Sequence, residues 1–174
     1  GISLWLPAFL ARSHAMSPAE IGMYLSVGFA IPFGVGLLGG GRLTDWMGRR
    51  DARWYFWLPA IATFVNGIAA ACAFTAPTAY VFWFMAVAFV AISSFIGPNL
   101  VITQTLSPIA FRATACAFTA FMVNSIGLGI GPWAMGIVSD LLRPAYGEES
   151  LRMSLLIVTT FAIPATFFYY RASR

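Results

Sequence analysis

Lysine is absent from the 174 residues of this chain, and charge of any kind is scarce: ten arginines and six acidic residues make up 9% of it. Charge is also missing over long distances. Ile21 to Gly41 holds no Asp, Glu, Lys or Arg, and Trp54 to Phe111 runs 58 residues without one. A soluble domain is excluded, because its surface would have to expose those runs to water. Cysteine is nearly missing too. Cys72 and Cys116 both fall inside apolar stretches, where a thiol behaves as a small hydrophobe, so neither a disulfide nor a metal site is expected. The one histidine, His14, reads as a residue of a short connection between Arg12 and Glu20. No paired aspartates, no serine with histidine and no H-E-x-x-H helix is present, so the chain is not read as an enzyme and no cofactor or catalytic set is expected. The formal charge of +4 does not mark a nucleic-acid binder, since the arginines sit at the ends of apolar runs and form no basic face.

What is present is hydrocarbon: 60% of residues are hydrophobic and the mean hydropathy is +0.81. A membrane-spanning helix needs about 20 apolar residues to cross roughly 30 Å of hydrocarbon. Reading from charge to charge gives five spans, at Ile21 to Gly41, Trp54 to Phe74, Tyr80 to Ile102, Ala113 to Val138 and Met153 to Tyr170. Thr75-Ala76-Pro77-Thr78 breaks the longest run. Gly1 to Ala11 is apolar but rises only about 16 Å as a helix, and it lacks the basic start of a signal peptide. It reads as the outer half of a truncated first helix. The expected fold is all-α: residues 1–174 form a single polytopic transmembrane helix bundle of about five and a half spans in a lipid bilayer.

Arginine placement sets the expected topology. Arg42, Arg49, Arg50, Arg53, Arg112, Arg171 and Arg174 fall on one side, against Arg12, Arg143 and Arg152, which Glu20, Asp140, Glu148 and Glu149 dilute. The positive-inside bias puts the first set, and the C-terminus, in the cytoplasm. Trp54, Tyr55 and Trp57 then lie at one interface and Tyr80 and Trp83 at the other, as aromatic belts require.

Inside the spans, Gly36 and Gly40, and again Gly127 and Gly131, stand four apart, so each pair shares a helix face on which a neighbouring backbone can approach. Pro32, Pro59, Pro98, Pro132 and Pro164 each remove a backbone donor within a span, which in lipid needs compensation from protein or water. Bent, repacking helices of this kind suit a transporter, and occur in channels as well.

The densest polar segment is GRLTDWMGRR, from Gly41 to Arg50. It reads as a short turn in which Gly41 ends a helix, Asp45 offers a carboxylate, Gly48 permits the reversal, and Arg49 and Arg50 supply charge-assisted donors beside it. The segment resembles the cytoplasmic signature G-x-L-a-D-r-x-G-R-[RK] of the major facilitator superfamily: Gly41, Leu43, Asp45, Gly48, Arg49 and Arg50 match, and Trp46 stands where that family often has arginine. The stretch from Gly127 to Gly136, GLGIGPWAMG, is similar to the family's glycine-proline helix motif. WLPAFLARSHAMSPAEIG near the start and RATACAF at Arg112 to Phe118 resemble the C-terminal half in the spinster-like and anion:cation symporter branches.

The resemblance covers the whole chain. It implies helices seven to twelve of a twelve-helix carrier in a bacterial inner membrane, with the N-terminal six-helix half missing and a small organic solute bound between the halves near the midplane. It also implies that Asp45 sits near a helix end of the opposite half and acts in a conformational switch. The remaining alternative is a channel or a non-transporting scaffold, which shares the helices and glycines but does not require the Asp45, Arg49 and Arg50 cluster.

Polar residues deep in spans are costly unless paired or facing water. Asn99, Asn124, Ser125, Ser94 and Gln104 are the candidate solute contacts, with Ser93 and the less central Asn66 behind them. Their other reading is interhelical hydrogen bonding, worth about 0.6 kcal/mol on average in a membrane bundle. Trp5, Tyr24 and Phe95 are candidate path-lining aromatics. No ionisable residue falls mid-span.

Overall fold

The computed structural model describes residues 2–173, and every regular element in that range is helical. Gly1, Arg174 and the side chain of Glu148, each named above, lie outside the described residues. Helix α1 spans Ile2–His14, α2 Pro18–Gly48, α3 Trp54–Thr75, α4 Thr78–Ser94 and α5 Ile96–Leu106. A 3-10 turn at Ile109–Phe111 leads into α6, Arg112–Asn124. A π-helical segment, Ser125–Ile130, joins α6 to α7, Gly131–Tyr146, and α8, Ser150–Thr159, is followed by α9, Ala162–Ala172.

Five stretches are long and apolar enough to cross a membrane: Pro18–Gly48, Trp54–Thr75, Thr78–Leu106, Ile109–Tyr146 and Ser150–Ala172. All five expected spans are therefore present, and each is longer than the stretch expected for it. At 31 and 38 residues, the first and fourth exceed the roughly 20 that fill the hydrocarbon layer, so Glu20, Asp45 and Asp140 ride on helical overhangs near their ends. The chain's first stretch is helical to His14, past the expected end at Ala11.

Local sequence explains the boundaries. Ser17 caps α2: its hydroxyl accepts from Glu20 N at 3.4 Å, and its own N–H donates to Glu20 Oε2 at 2.8 Å, a reciprocal box with Pro18 in the first turn. Three interruptions within the spans coincide with proline. Pro98, Pro132 and Pro164 cannot donate to the carbonyls of residues 94, 128 and 160, and there the helices give way: at Phe95, in the π-helical segment, and in the turn at Thr160 and Phe161. Pro32 and Pro59 leave α2 and α3 unbroken.

In the packing, α4 lies between α2 and α3, and α3 also packs on α9. Close approach is made by small residues. A Cβ on Gly36 would overlap Ser93 Oγ and the Val90 carbonyl, and one on Gly40 would overlap the Ser94 backbone. Gly67 meets the Ala162 side chain across the α3 and α9 contact, 2.6 Å from where its Cβ would stand. The second glycine pair behaves differently: a Cβ on Gly127 would meet nothing within 4 Å, because the apolar middle of Ile109–Tyr146 is not buried by the rest of this chain. Among the described residues, then, none packs on Gly127.

One core unites the ends of the helices at the side opposite the arginine-rich turn: Leu6, Phe9 and Leu10 of α1 meet Ala73 and Phe74 of α3, Val81 of α4 and Leu151 and Leu155 of α8. Phe9 and Phe74 are edge to face, ring centres 5.2 Å apart.

Candidate functional site

Helix α2 continues through Gly41, so the GRLTDWMGRR segment is not the short turn expected. Gly41 lies within the helix, Asp45 occupies its last turn, and the reversal occupies residues 49–53. Thr44 is buried and donates to the Gly40 carbonyl at 2.7 Å. Gly48 is required by the next helix: a Cβ there would stand 2.5 Å from the Tyr55 ring. Gly97 approaches Gly41, its Cβ position 3.6 Å from the Gly41 Cα, where α5 crosses α2.

The expected pairing of Asp45 with Arg49 or Arg50 is not formed. Arg50 instead stacks over the Trp46 ring at 4.7 Å, and the ion pair that the described residues form joins Arg152 to Glu149. Asp45 receives one side-chain contact, a Tyr55 hydroxyl 3.5 Å from Oδ1, at the outer limit of a hydrogen bond. The carboxylate is exposed at a helix C-terminus, where the backbone dipole is negative and a neighbouring cation is favoured. Among the described residues none supplies that cation within ion-pair distance.

The polar candidates are distributed among several helix contacts and do not converge on one enclosed cavity. Asn99 Oδ1 accepts from the Tyr169 hydroxyl at 3.3 Å, joining α5 to α9. Asn66 donates to Ala88 O at 2.9 Å, joining α3 to α4. Ser93 and Ser94 donate within α4, to Phe89 and Ala91 at 2.8 and 2.7 Å. Asn124 is exposed and donates to Ala120 of its own helix at 2.8 Å. Ser125 opens the π-helical segment, and Gln104 is exposed near the end of α5. Asn124 and Ser125 thus stand beside backbone whose hydrogen bonding is already irregular, on the span that the chain itself leaves uncovered.

Several tertiary contacts had no separate signal in the sequence. Trp5 Nε1 donates to the Pro132 carbonyl at 3.1 Å, fastening α1 beside the π-helical segment. Trp57 Nε1 donates to Ser173 Oγ at 2.9 Å, which brings the start of α3 to the C-terminal end of α9. At the opposite end, the Arg152 guanidinium donates to the Phe74 and Thr75 carbonyls that α3 leaves unpaired, and to Glu149. His14 is not a free connection residue: it closes α1, lies 2.8 Å from Thr78 Oγ1, and meets Phe9 edge on. Partial burial, reinforced by the Arg152 charge and partly offset by Glu149, holds its pKa below the ordinary 6.5.

Long apolar helices, proline breaks and small-residue contacts together define an integral membrane protein of the polytopic helix-bundle class. No protein-family model matches the chain. Over 174 residues, 99% of its length, it is 31% identical to a protein of Mycolicibacterium smegmatis (strain ATCC 700084 / mc(2)155) described as an MFS-type efflux pump. That alignment takes in 40% of the relative, so the chain spans about two fifths of the length of the protein it matches. The similarity supports membership of the major facilitator superfamily.

Proposed function

We propose that this chain is the C-terminal six-helix half of a secondary carrier of the major facilitator superfamily, moving a small organic solute by alternating access. The observation that carries the reading is the similarity, along nearly all of this chain, to two fifths of an efflux pump, in a chain bearing the G-x-L-x-D-x-x-G-R-R pattern at the α2 to α3 reversal. Efflux is the direction that this relative favours. Asp45, with no cation beside it, supports a switch completed by the other half, a helix N-terminus or an arginine there supplying what this chain lacks. Asn99, Asn124 and Ser125, with Ser94 and Gln104 behind them, are the solute contacts of this half. The spinster-like assignment rests on the two stretches from Trp5 and Arg112. The family resemblance supports an inner-membrane location, and the arginine asymmetry supports a cytoplasmic C-terminus.

Proteoliposomes containing the intact carrier test the function. Saturable flux with counterflow is expected; a flux that rises linearly with gradient and shows no counterflow would establish the channel alternative. Orientation is read separately by cysteine labelling in intact cells. Position 146 is expected to react with an impermeant reagent and position 47 to be spared, and the reverse pattern would invert the topology.

A further inference from the structure

At the end of the bundle away from the arginine-rich reversal, the last turn of α1, the last turns of α7 and the first residue of α8 surround a cavity of about 160 Å³. Its wall is made by Arg12, Ser139, Asp140, Arg143, Gly147 and Ser150. Arg12 and Arg143 come from different helices, and neither they nor Asp140 has an ion-pair or side-chain hydrogen-bond partner among the described residues. The floor is two buried hydroxyls, Ser139 and Ser150, 6% and 4% exposed and 3.3 Å apart. Ser150 also opens α8, which continues from the 3-10 turn at Gly147–Glu149, and its N–H donates to the Gly147 carbonyl.

These parts share a preference. Guanidinium groups present forked donors that fit carboxylate or phosphate oxygens, and hydroxyls donate to the same atoms. Asp140 opposes them, and among the described residues that line it the wall carries one net positive charge, from two arginines and one carboxylate. A singly charged anion balances that wall; a dianion exceeds it. The volume admits several waters, each needing roughly 10–15 Å³ measured this way, and so also one small oxyanion group.

We propose that this cavity binds a singly charged oxyanion, either a phosphodiester of a lipid headgroup or the carboxylate of a small free anion. The site lies at a span end, apart from the polar positions assigned to solute, and it needs no transport to be observed.

The test uses the intact carrier purified in dodecyl maltoside, with thermal midpoint as the binding readout. Sodium acetate and dimethyl phosphate are the free-anion probes; nanodiscs of phosphatidylcholine with and without one fifth phosphatidylglycerol are the lipid probe. A saturable rise with the soluble anions identifies a free-anion site, and a rise confined to phosphatidylglycerol identifies a headgroup site; both support the proposal. Arg12→Gln with Arg143→Gln is expected to weaken the response at least tenfold, while Arg112→Gln at the other end leaves it unchanged. Asp140→Asn adds a net positive charge to the wall, so it is expected to tighten acetate binding several-fold and to admit sulfate, a gain that misfolding cannot mimic. No response in either arm, or equal responses from wild type, the double arginine variant and Asp140→Asn, would overturn the proposal.

Discussion

Two glycines on one helix, two residues apart, are expected to respond to the same methyl group with opposite signs. Gly34 and Gly36 both lie within unbroken α2. A Cβ on Gly34 meets nothing within 4 Å, so Gly34→Ala gains only the helix preference of alanine over glycine, about 0.5–1 kcal/mol. At Gly36 the methyl falls on Ser93 Oγ and the Val90 carbonyl. Neither can yield. The serine hydroxyl is held by the Phe89 and Val90 carbonyls at 2.8 and 3.2 Å, and the carbonyl is part of α4 itself. Helix α2 must therefore withdraw from α4, at an overpacking cost of about 1–3 kcal/mol that exceeds the preference gained. The two variants should differ by about 2 kcal/mol, more than tenfold in the folded population. In detergent the unfolding of such a protein is commonly irreversible, so the comparison is of apparent midpoints and inactivation rates at one heating rate. Gly36→Ala should fall below wild type and Gly34→Ala should match or exceed it. Adding Ser93→Gly to Gly36→Ala should recover only part of the loss, because the Val90 carbonyl remains. Equal midpoints for the two single variants would refute the close contact of α2 with α4.

Other outcomes follow from single residues. Ala15 joins α1 to α2 with φ at 51°, in the left-handed region that favours glycine, so Ala15→Gly should raise the thermal midpoint by an amount equivalent to about 1 kcal/mol; a lowered midpoint would show that the connection is not strained. His14 has a folded-state pKa below 6.5, so the unfolded chain binds more protons and stability falls as pH drops through 6.5 toward the folded value. His14→Gln should flatten that part of a midpoint-against-pH curve, and an unchanged slope would assign it to other groups. Asp45→Asn is expected to slow transport by the intact carrier while membrane insertion, read by protease protection, stays normal, because it removes charge with little change in shape. Transport at the wild-type rate would reduce the segment to a topology signal.

The class of this protein was legible in its sequence because the bilayer imposes a one-dimensional rule: every charge-free run of sufficient length must bury its backbone polarity in a helix. The five spans and the break at Ala76-Pro77 follow from short segments read alone. Proline positions were legible as weak points, but which of them would break a helix was not. Pro32 and Pro59 stay within continuous helices while Pro98, Pro132 and Pro164 coincide with interruptions, since neighbouring helices decide whether a freed carbonyl is tolerated. Equal spacing likewise disguised unequal surroundings within this chain: Gly36 and Gly40 face α4, whereas no described residue packs on Gly127. The GRLTDWMGRR pattern identified a functional candidate, and tertiary structure moved it from a turn to a helix end and left Asp45 with Tyr55 alone. Helix continuation and side-chain partners depend on what packs alongside, which spacing in the chain does not encode. The convergence of Arg12 with Arg143, 131 positions apart in the chain, belongs wholly to the fold, because only the docking of α1 against α7 and α8 brings those charges to one cavity.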